Sequence, residues 1–245
     1  QMDFLKYDVI FHVAAIVHKK EKPEMEALYM KVNCELPIQI AEKAKVEGIK
    51  QFIFMSSMSV YGINSGIINK HTIPSPRTYY GKSKLEAEQK LQQYNECKFN
   101  VAVIRPPMIY GKGSKGNYPK LAKLARRSPI FPDIDNERSM LYIENLCAFI
   151  RLMIDHNEKG IFFPQNKEYV KTTELVQTIA QVYGKKMHLT KIFNPLLKGT
   201  FQKINLINKV FGSLVYEKEL SIYNNFQYSV IDLKKSIELT EKGYQ

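Results

Sequence analysis

The chain has 245 residues, 44% of them hydrophobic and 24% charged, with a formal net charge of +12. That length suits one large α/β domain with a smaller lobe, and the composition is ordinary for a protein with a sizeable core. No unbroken apolar run is long enough to span a bilayer, and the start, Gln1-Met2-Asp3-Phe4, lacks the basic and apolar regions of a signal peptide. The Lys and Arg are spread without a dense block or interleaved aromatics, so the charge reads as a solvated basic surface and no nucleic acid is expected. Cys34, Cys97 and Cys147 are far apart and odd in number, which fits neither a metal spacing nor a disulfide framework. A reducing, cytoplasmic setting is the simplest expectation.

In chain order, Tyr7 to Ala15 is a short apolar run rich in β-branched and aromatic residues, which predicts a buried strand. Pro23 to Glu47 predicts helix, with Pro37 as a kink or as the first turn of a second helix, and Gly48 as the stop. Ile49 to Met55 is a second strand. Ser56 to Thr78 is dense in Ser, Gly, Asn and Pro, and is expected to be loop. Tyr79 to Tyr94 is a clear helix, and Asn100 to Arg105 a third strand. Strands alternating with crossover helices imply a parallel, doubly wound sheet. Beyond Pro106 helices are expected at Tyr118–Arg127, Ile143–His156 and Thr173–Tyr183. Leu196 to Phe211 alternates apolar and basic residues at helical spacing. Packing on its own domain is the expectation there, ahead of an anionic membrane surface.

Tyr80 and Lys84 are four apart on the predicted helix, so their side chains share a face. A tyrosine is a weak base at neutral pH, and a nearby ammonium favours its phenolate. Such a pair can move a proton on or off a substrate hydroxyl. Tyr79 sits less well for the same task. Alone, this pair is more often a solvated helix face. Ser56-Ser57 follows a strand at its carboxyl end, where open α/β sheets place ligands, though serines there also cap turns. His12, on an apolar strand, reads equally well as a core histidine.

Three stretches carry a resemblance: Phe52-Ile53-Phe54-Met55-Ser56-Ser57-Met58-Ser59-Val60-Tyr61-Gly62, then Tyr80-Gly81-Lys82-Ser83-Lys84, then Arg105-Pro106-Pro107-Met108-Ile109-Tyr110-Gly111. Together with Asp8-Val9-Ile10-Phe11-His12-Val13-Ala14-Ala15, they resemble the extended short-chain dehydrogenases of the nucleotide-sugar epimerase/dehydratase group, UDP-glucose 4-epimerases among them. The resemblance implies an α/β, Rossmann-like doubly wound sheet over residues 1–111. A smaller C-terminal α+β substrate lobe would occupy 112–245, with some segments returning to the sheet. It implies that Ser57 is the catalytic hydroxyl, Tyr80 the acid/base and Lys84 the lysine that also binds the nicotinamide ribose. Ala14, Ala15 and Pro107 would border the cofactor, expected to be NAD with NADP left open. Arg138, ahead of Ser139-Met140-Leu141-Tyr142, would grip the diphosphate of a UDP-linked sugar, with Asn117 as a further substrate contact. A homodimer is implied as well.

Two departures accompany the resemblance. No glycine-rich turn precedes Tyr7, and Gly111-Lys112-Gly113-Ser114-Lys115-Gly116 reads as a loop into the smaller lobe. The chain is therefore expected to begin just before the family's fourth strand, without its first βα units, and to bind NAD weakly by itself. Members that eliminate water carry an Asp-Glu pair after the catalytic hydroxyl. Here Met58-Ser59 stands in its place, which argues against a 4,6-dehydratase. The expectation is a nucleotide-sugar 4-epimerase acting through a 4-keto intermediate in surface-polysaccharide sugar synthesis. A 4-ketoreductase and a non-catalytic binding protein on the same fold are the alternatives.

Overall fold

The computed structural model describes residues 3–192, 194 and 211–243. In chain order the strands are β1 (Val9–His12), β2 (Gln51–Met55), β3 (Gly66–Ile68), β4 (Asn100–Ile104), β5 (Met108–Tyr110), β6 (Ile130–Pro132), β7 (Met140–Tyr142), β8 (Gly160–Phe162), β9 (His188–Thr190) and β10 (Leu214–Tyr216). The helices are α1 (Glu26–Met30), α2 (Leu36–Val46), α3 (Tyr79–Gln92), α4 (Tyr118–Arg127), α5 (Ile143–Asp155), α6 (Thr172–Val182), α7 (Lys218–Ser221) and α8 (Leu233–Lys242). The amphipathic stripe read at Leu196 to Phe211 lies, but for its last residue, outside the described residues. Among the described residues no helix is long and apolar enough to cross a membrane.

The chain divides into two compact units. The first comprises residues 1–63, 71–107 and 148–164. Its sheet has the order β1-β2-β4-β8, every pair parallel, so the chain steps outward from β1 and the crossovers carry the helices. Central strands read as continuous apolar runs because both faces are covered. Phe52, Phe54, Val101 and Val103 face one way, onto Ala41 and Ala44 of α2 and Ala87 and Leu91 of α3. Small alanines on the helices let the two phenylalanines fill the layer, and burying each is worth roughly 1.5–3 kcal/mol. On the other face Gln51 donates from Nε2 to the carbonyls of Met153 and Glu158, at 2.8 and 2.9 Å.

Three elements differ from the sequence reading. Strand β1 covers four residues, because Tyr7 and Val13 on its flanks are exposed and do not pair. The helix from Glu26 onward is interrupted by a π turn, Lys31–Glu35, after which Pro37 sits in the first turn of α2. A π turn leaves its backbone bonding wide, and such turns gather at functional sites. Finally, the expected loop 56–78 contains a 3-10 turn, Met58–Tyr61, and strand β3.

The second unit comprises residues 64–70, 108–147 and 165–245. It is built from three parallel two-stranded pairs, β3 with β10, β5 with β7 and β6 with β9. The apolar sides of the β5–β7 and β6–β9 pairs meet α4, α6 and α8 in a core of Tyr110, Tyr118, Leu121, Phe131, Leu175, Ile179 and Ile237 among others. Several of its buried polar groups bond one another. Tyr110 Oη lies 2.6 Å from Ser236 Oγ and accepts from Asn166 Nδ2 at 3.1 Å, and Asn145 Nδ2 donates to Asn166 Oδ1 at 3.0 Å.

His12 ends β1 as a core residue. Its ring stacks on Phe52 and Phe54, with centroids 6.1 and 6.0 Å away, and Nε2 has no hydrogen-bond partner. Burial, then the charge of Lys84, lowers its pKa from 6.5 to about 4, against a hydrogen bond to the Ala14 backbone that raises it. Between those pH values the unfolded chain binds the proton and the folded one does not, so stability falls as pH drops from 6.5 toward 4. His12→Phe is expected to flatten that fall by on the order of 2 kcal/mol, read from urea unfolding at pH 7 and pH 4.5. An unchanged difference between the two pH values would contradict the burial argument.

Candidate active site

The site is assembled where β2 ends against the start of α3. Ser57 leaves the strand with extended backbone and caps the turn Met58–Tyr61, its Oγ accepting from Ser59 N at 3.1 Å. The turn is tied to the end of β4, since Met58 N donates to Pro106 O at 2.9 Å. Gly62 closes it in the left-handed region, φ +65°, where an added Cβ would stand 2.0 Å from Ser75 O.

Helix α3 is fixed at its N-terminus twice. Thr78 Oγ1 accepts from Gly81 N at 3.0 Å. The Glu21 carboxylate accepts from Tyr79 N and Tyr80 N, at 2.8 and 3.0 Å. Both occupy amide groups that a first turn leaves without partners, and the negative charge suits that end of the dipole. Gly81 lets the helix lie against the serine turn, because a Cβ there would be 2.8 Å from Ser59 O.

This geometry brings Ser57, Tyr80 and Lys84 together. The Tyr80 and Ser57 side chains are neighbours, and their interaction favours the phenolate. Lys84, one turn along, is 1% exposed. Its Nζ donates to Met55 O at 2.8 Å and lies 4.4 Å from the centroid of Phe54. Burial lowers its pKa from 10.5 to about 8, with Glu88 opposing. Burial raises the pKa of Tyr80 above its ordinary value of 10, with the Ser57 side chain opposing and the neighbouring Tyr29 adding to the rise. The Lys84 ammonium turns to the Met55 carbonyl, and desolvation sets the direction of the Tyr80 shift.

Ala14 and Ala15 follow β1 at its carboxyl end, Ala14 exposed and Ala15 half-buried. The next residue, Ile16, is held to the buried Asn33 of the π turn. Ile16 N donates to Asn33 Oδ1 at 2.8 Å, and Asn33 Nδ2 donates to Ile16 O at 3.1 Å and to Ser83 Oγ at 3.3 Å. Asn33 thus ties the alanine segment to α3. Pro107 is buried at the end of the same unit. The small side chains of Ala14 and Ala15 and the Tyr80–Lys84 pair suit the nicotinamide end of a dinucleotide: a flat, partly apolar ring beside a ribose that needs donors.

Asn117 and Arg138 belong to the second unit. Asn117 precedes α4 and makes no side-chain cap there. Arg138 is held in place by its backbone, N to Val170 O at 3.0 Å and O from Val170 N at 2.9 Å. Its guanidinium donates to Gly212 O at 2.6 Å, and burial lowers its pKa from 12.5 to about 10. Among the described residues no carboxylate pairs with it. Residues that sequence reasoning left without a role are Glu21, Asn33, Glu88 and Arg105. Of these only Glu88 carried a signal, as the next member of the Tyr80, Lys84 stripe at a spacing of four.

The burial of Lys84 has a consequence for stability. The unfolded chain holds the Lys84 proton up to about pH 10.5 and the folded chain only to about 8, so stability rises with pH across that window and carries the full penalty below it. Lys84→Met is expected to stabilise the protein at pH 7 by about 1–2 kcal/mol, after loss of the Met55 hydrogen bond, while removing activity. The gain should shrink as pH approaches 10. Thermal unfolding at pH 7 and pH 9.5 checks this, and a variant less stable at pH 7 would contradict it.

Known proteins resemble this chain in sequence and in fold. Residues 2–163 match the model of the NAD dependent epimerase/dehydratase family. A UDP-glucose 4-epimerase of Vibrio cholerae is 30% identical over 224 residues, covering 84% of this chain and 67% of that protein. The N-acetyl-alpha-D-glucosaminyl-diphospho-ditrans,octacis-undecaprenol 4-epimerase of Escherichia coli O157:H7 is 28% identical over 193 residues, covering 75% of this chain and 58% of its own length. Among solved structures, a UDP-glucuronic acid 4-epimerase from Bacillus cereus in complex with NAD superposes with a TM-score of 0.71 at 19% identity, covering 96% of this chain and 73% of that one. With the family model matching well over half of its length, the chain belongs to the NAD dependent epimerase/dehydratase family.

Proposed function

We propose that the full-length gene product is a nucleotide-sugar 4-epimerase with NAD as its cofactor, working in a cytoplasmic step of surface-polysaccharide sugar synthesis. The observation that carries this reading is the pairing of the Ser57 and Tyr80 side chains, backed by the buried cation of Lys84. Ser57 holds the oxygen of the sugar's 4-hydroxyl, and Tyr80 takes its proton as the 4-keto sugar forms. Bound NAD supplies the acceptor, and then the donor, of the hydride at that carbon. Tyr80 returns the proton once the other face of the ketone has been reduced, so no cofactor is consumed. Because burial raises the proton affinity of Tyr80, its phenolate at neutral pH depends on a nearby cation. Lys84 is that cation in this reading, and with Tyr80 it would hold the nicotinamide ribose. Ala14, Ala15 and Pro107 would border the cofactor.

Arg138 is proposed to bind the diphosphate of a UDP-linked sugar, with Asn117 as a further contact. A half-buried guanidinium that, among the described residues, bonds a carbonyl and no carboxylate keeps donors for phosphate oxygens. Exposed Leu28, Leu36 and Val46 along the first helical stretch support a homodimer through that face.

The test incubates the full-length protein with UDP-hexoses and UDP-N-acetylhexosamines plus trace NAD, and follows the sugars by NMR. The expected result is a C4 epimer without net NADH, lost by about a hundredfold or more in Tyr80→Phe. Arg138→Met should raise KM for the nucleotide sugar about tenfold with kcat nearly unchanged. NAD(P)H consumption with a 4-keto sugar nucleotide, in the absence of epimerisation, would assign a ketoreductase. Silence in both assays would overturn the enzyme reading in favour of a non-catalytic protein on this fold.

A further inference from the structure

Behind the Tyr80–Lys84 pair lies a buried ionic network that the reaction as described does not use. Glu88 is 1% exposed, Arg105 5%, Ser56 2% and Tyr61 3%. Arg105 grips the Glu88 carboxylate from two sides, Nε at 3.1 Å from both oxygens and Nη2 at 2.5 Å from Oε2. Arg105 Nη1 donates to Tyr61 Oη at 2.9 Å, and its guanidinium lies over the Tyr61 ring, 5.2 Å from the centroid. Ser56 Oγ donates to Glu88 Oε1.

These contacts join four elements at one point. Glu88 comes from α3, Ser56 from the end of β2, Tyr61 from the serine turn and Arg105 from the end of β4. Three consecutive residues leaving β2 are each held by a different turn of α3. Met55 accepts from Lys84, Ser56 donates to Glu88, and the Ser57 side chain neighbours that of Tyr80. A buried Arg–Glu pair is no general source of stability, since desolvation offsets much of the attraction. Its geometric specificity is another matter, because a forked guanidinium and a carboxylate accept few relative placements.

We propose that Glu88 and Arg105 form a clamp that fixes the serine turn against α3, and so act as positioning residues for proton transfer at Ser57 and Tyr80. The proposal rests on the acid/base role given to Tyr80 above. Misplacing reacting groups by about 1 Å can cost a hundredfold in rate. The clamp also reaches Lys84 electrically. Glu88 raises the affinity of Lys84 for its proton against burial. The other titratable group coupled to Lys84 is His12, from β1, which is neutral at working pH.

The test compares three forms of the full-length protein: the parent, Ser56→Ala, and the double variant Glu88→Gln/Arg105→Met. The double variant removes both buried charges, so that neither is left without its partner, and Ser56→Ala removes one hydroxyl and nothing else. Kinetics with the nucleotide sugar and a pH titration of the Lys84 ε-carbon by NMR are read on each. The expected result is a fall in kcat of about tenfold or more in the double variant and a smaller fall in Ser56→Ala, with KM within about threefold in both. The Lys84 titration should move to lower pH in the double variant by about one unit and stay in place in Ser56→Ala. A residue that only supports the fold would leave that titration and kcat per folded molecule unmoved. Folded variants with parental kcat and a parental Lys84 titration would overturn the proposal. A parent that turns over no nucleotide sugar would overturn the function reading instead, and the Lys84 titration would still decide whether the clamp governs its neighbour. Should the double variant not fold, Ser56→Ala decides alone: parental kcat in it overturns the clamp.

Discussion

The register of α3 on the end of β2 is the constraint on which the rest of the first unit depends. A helix repeats its face every 3.6 residues, so Tyr80, Lys84 and Glu88 stand in one row. A strand end offers backbone and side chain in turn. The two meet such that the row faces Ser57, Met55 and Ser56, and every one of those contacts is lost if the helix slides by one residue. The supporting features make sense as means of holding that register. Glu21 and Thr78 fix the first turn of the helix, Gly81 permits its close approach, and Asn33 anchors the segment after β1 to Ser83.

The register is held at a cost in stability. Lys84, Glu88 and Arg105 are ionisable groups almost wholly removed from water. Glu88 and Arg105 compensate each other directly. Lys84 has only a carbonyl and an aromatic face, and its proton affinity falls accordingly. A fold selected for stability alone would place an apolar side chain there. The apolar layer formed by Phe52, Phe54, Val101 and Val103 with Ala41, Ala44, Ala87 and Leu91 supplies the stability against which that penalty is set.

Much of this was legible in the sequence, for physical reasons that also explain what was not. Strand β2 and helix α3 were plain because an unbroken apolar run and a long amphipathic run each admit one reading. Helix α4 was read to the residue, with proline in its first turn and arginines at its end. The π turn at Lys31–Glu35 escaped because a change from i→i+4 to i→i+5 bonding leaves no mark on residue type. Strand β3 escaped because its partner is β10, far along the chain, and a three-residue strand has no pattern of its own. Strand β1 was read too long because apolar character continues past the last paired residue, where Val13 is exposed. For the site, spacing gave the shared face of Tyr80 and Lys84. It could not say which way a flexible ammonium turns, and desolvation, a property of the folded surroundings, decides both pKa shifts.

The two buried arginines show how far residue type alone carries an assignment. Arg105 and Arg138 stood in the same resemblance, and both are cations largely withdrawn from solvent. Arg105 is met by a carboxylate with both oxygens engaged and by a tyrosine hydroxyl, so its charge is neutralised inside the protein. Among the described residues Arg138 is met by a carbonyl and no carboxylate, and its proton affinity is depressed by burial. A carbonyl offers a dipole where a carboxylate offers a charge, so the field of Arg138 remains available to an anion. The first arginine therefore belongs with the groups that shape the site, and the second is the one proposed for a diphosphate. Partners, and not the side chain itself, separate the two roles.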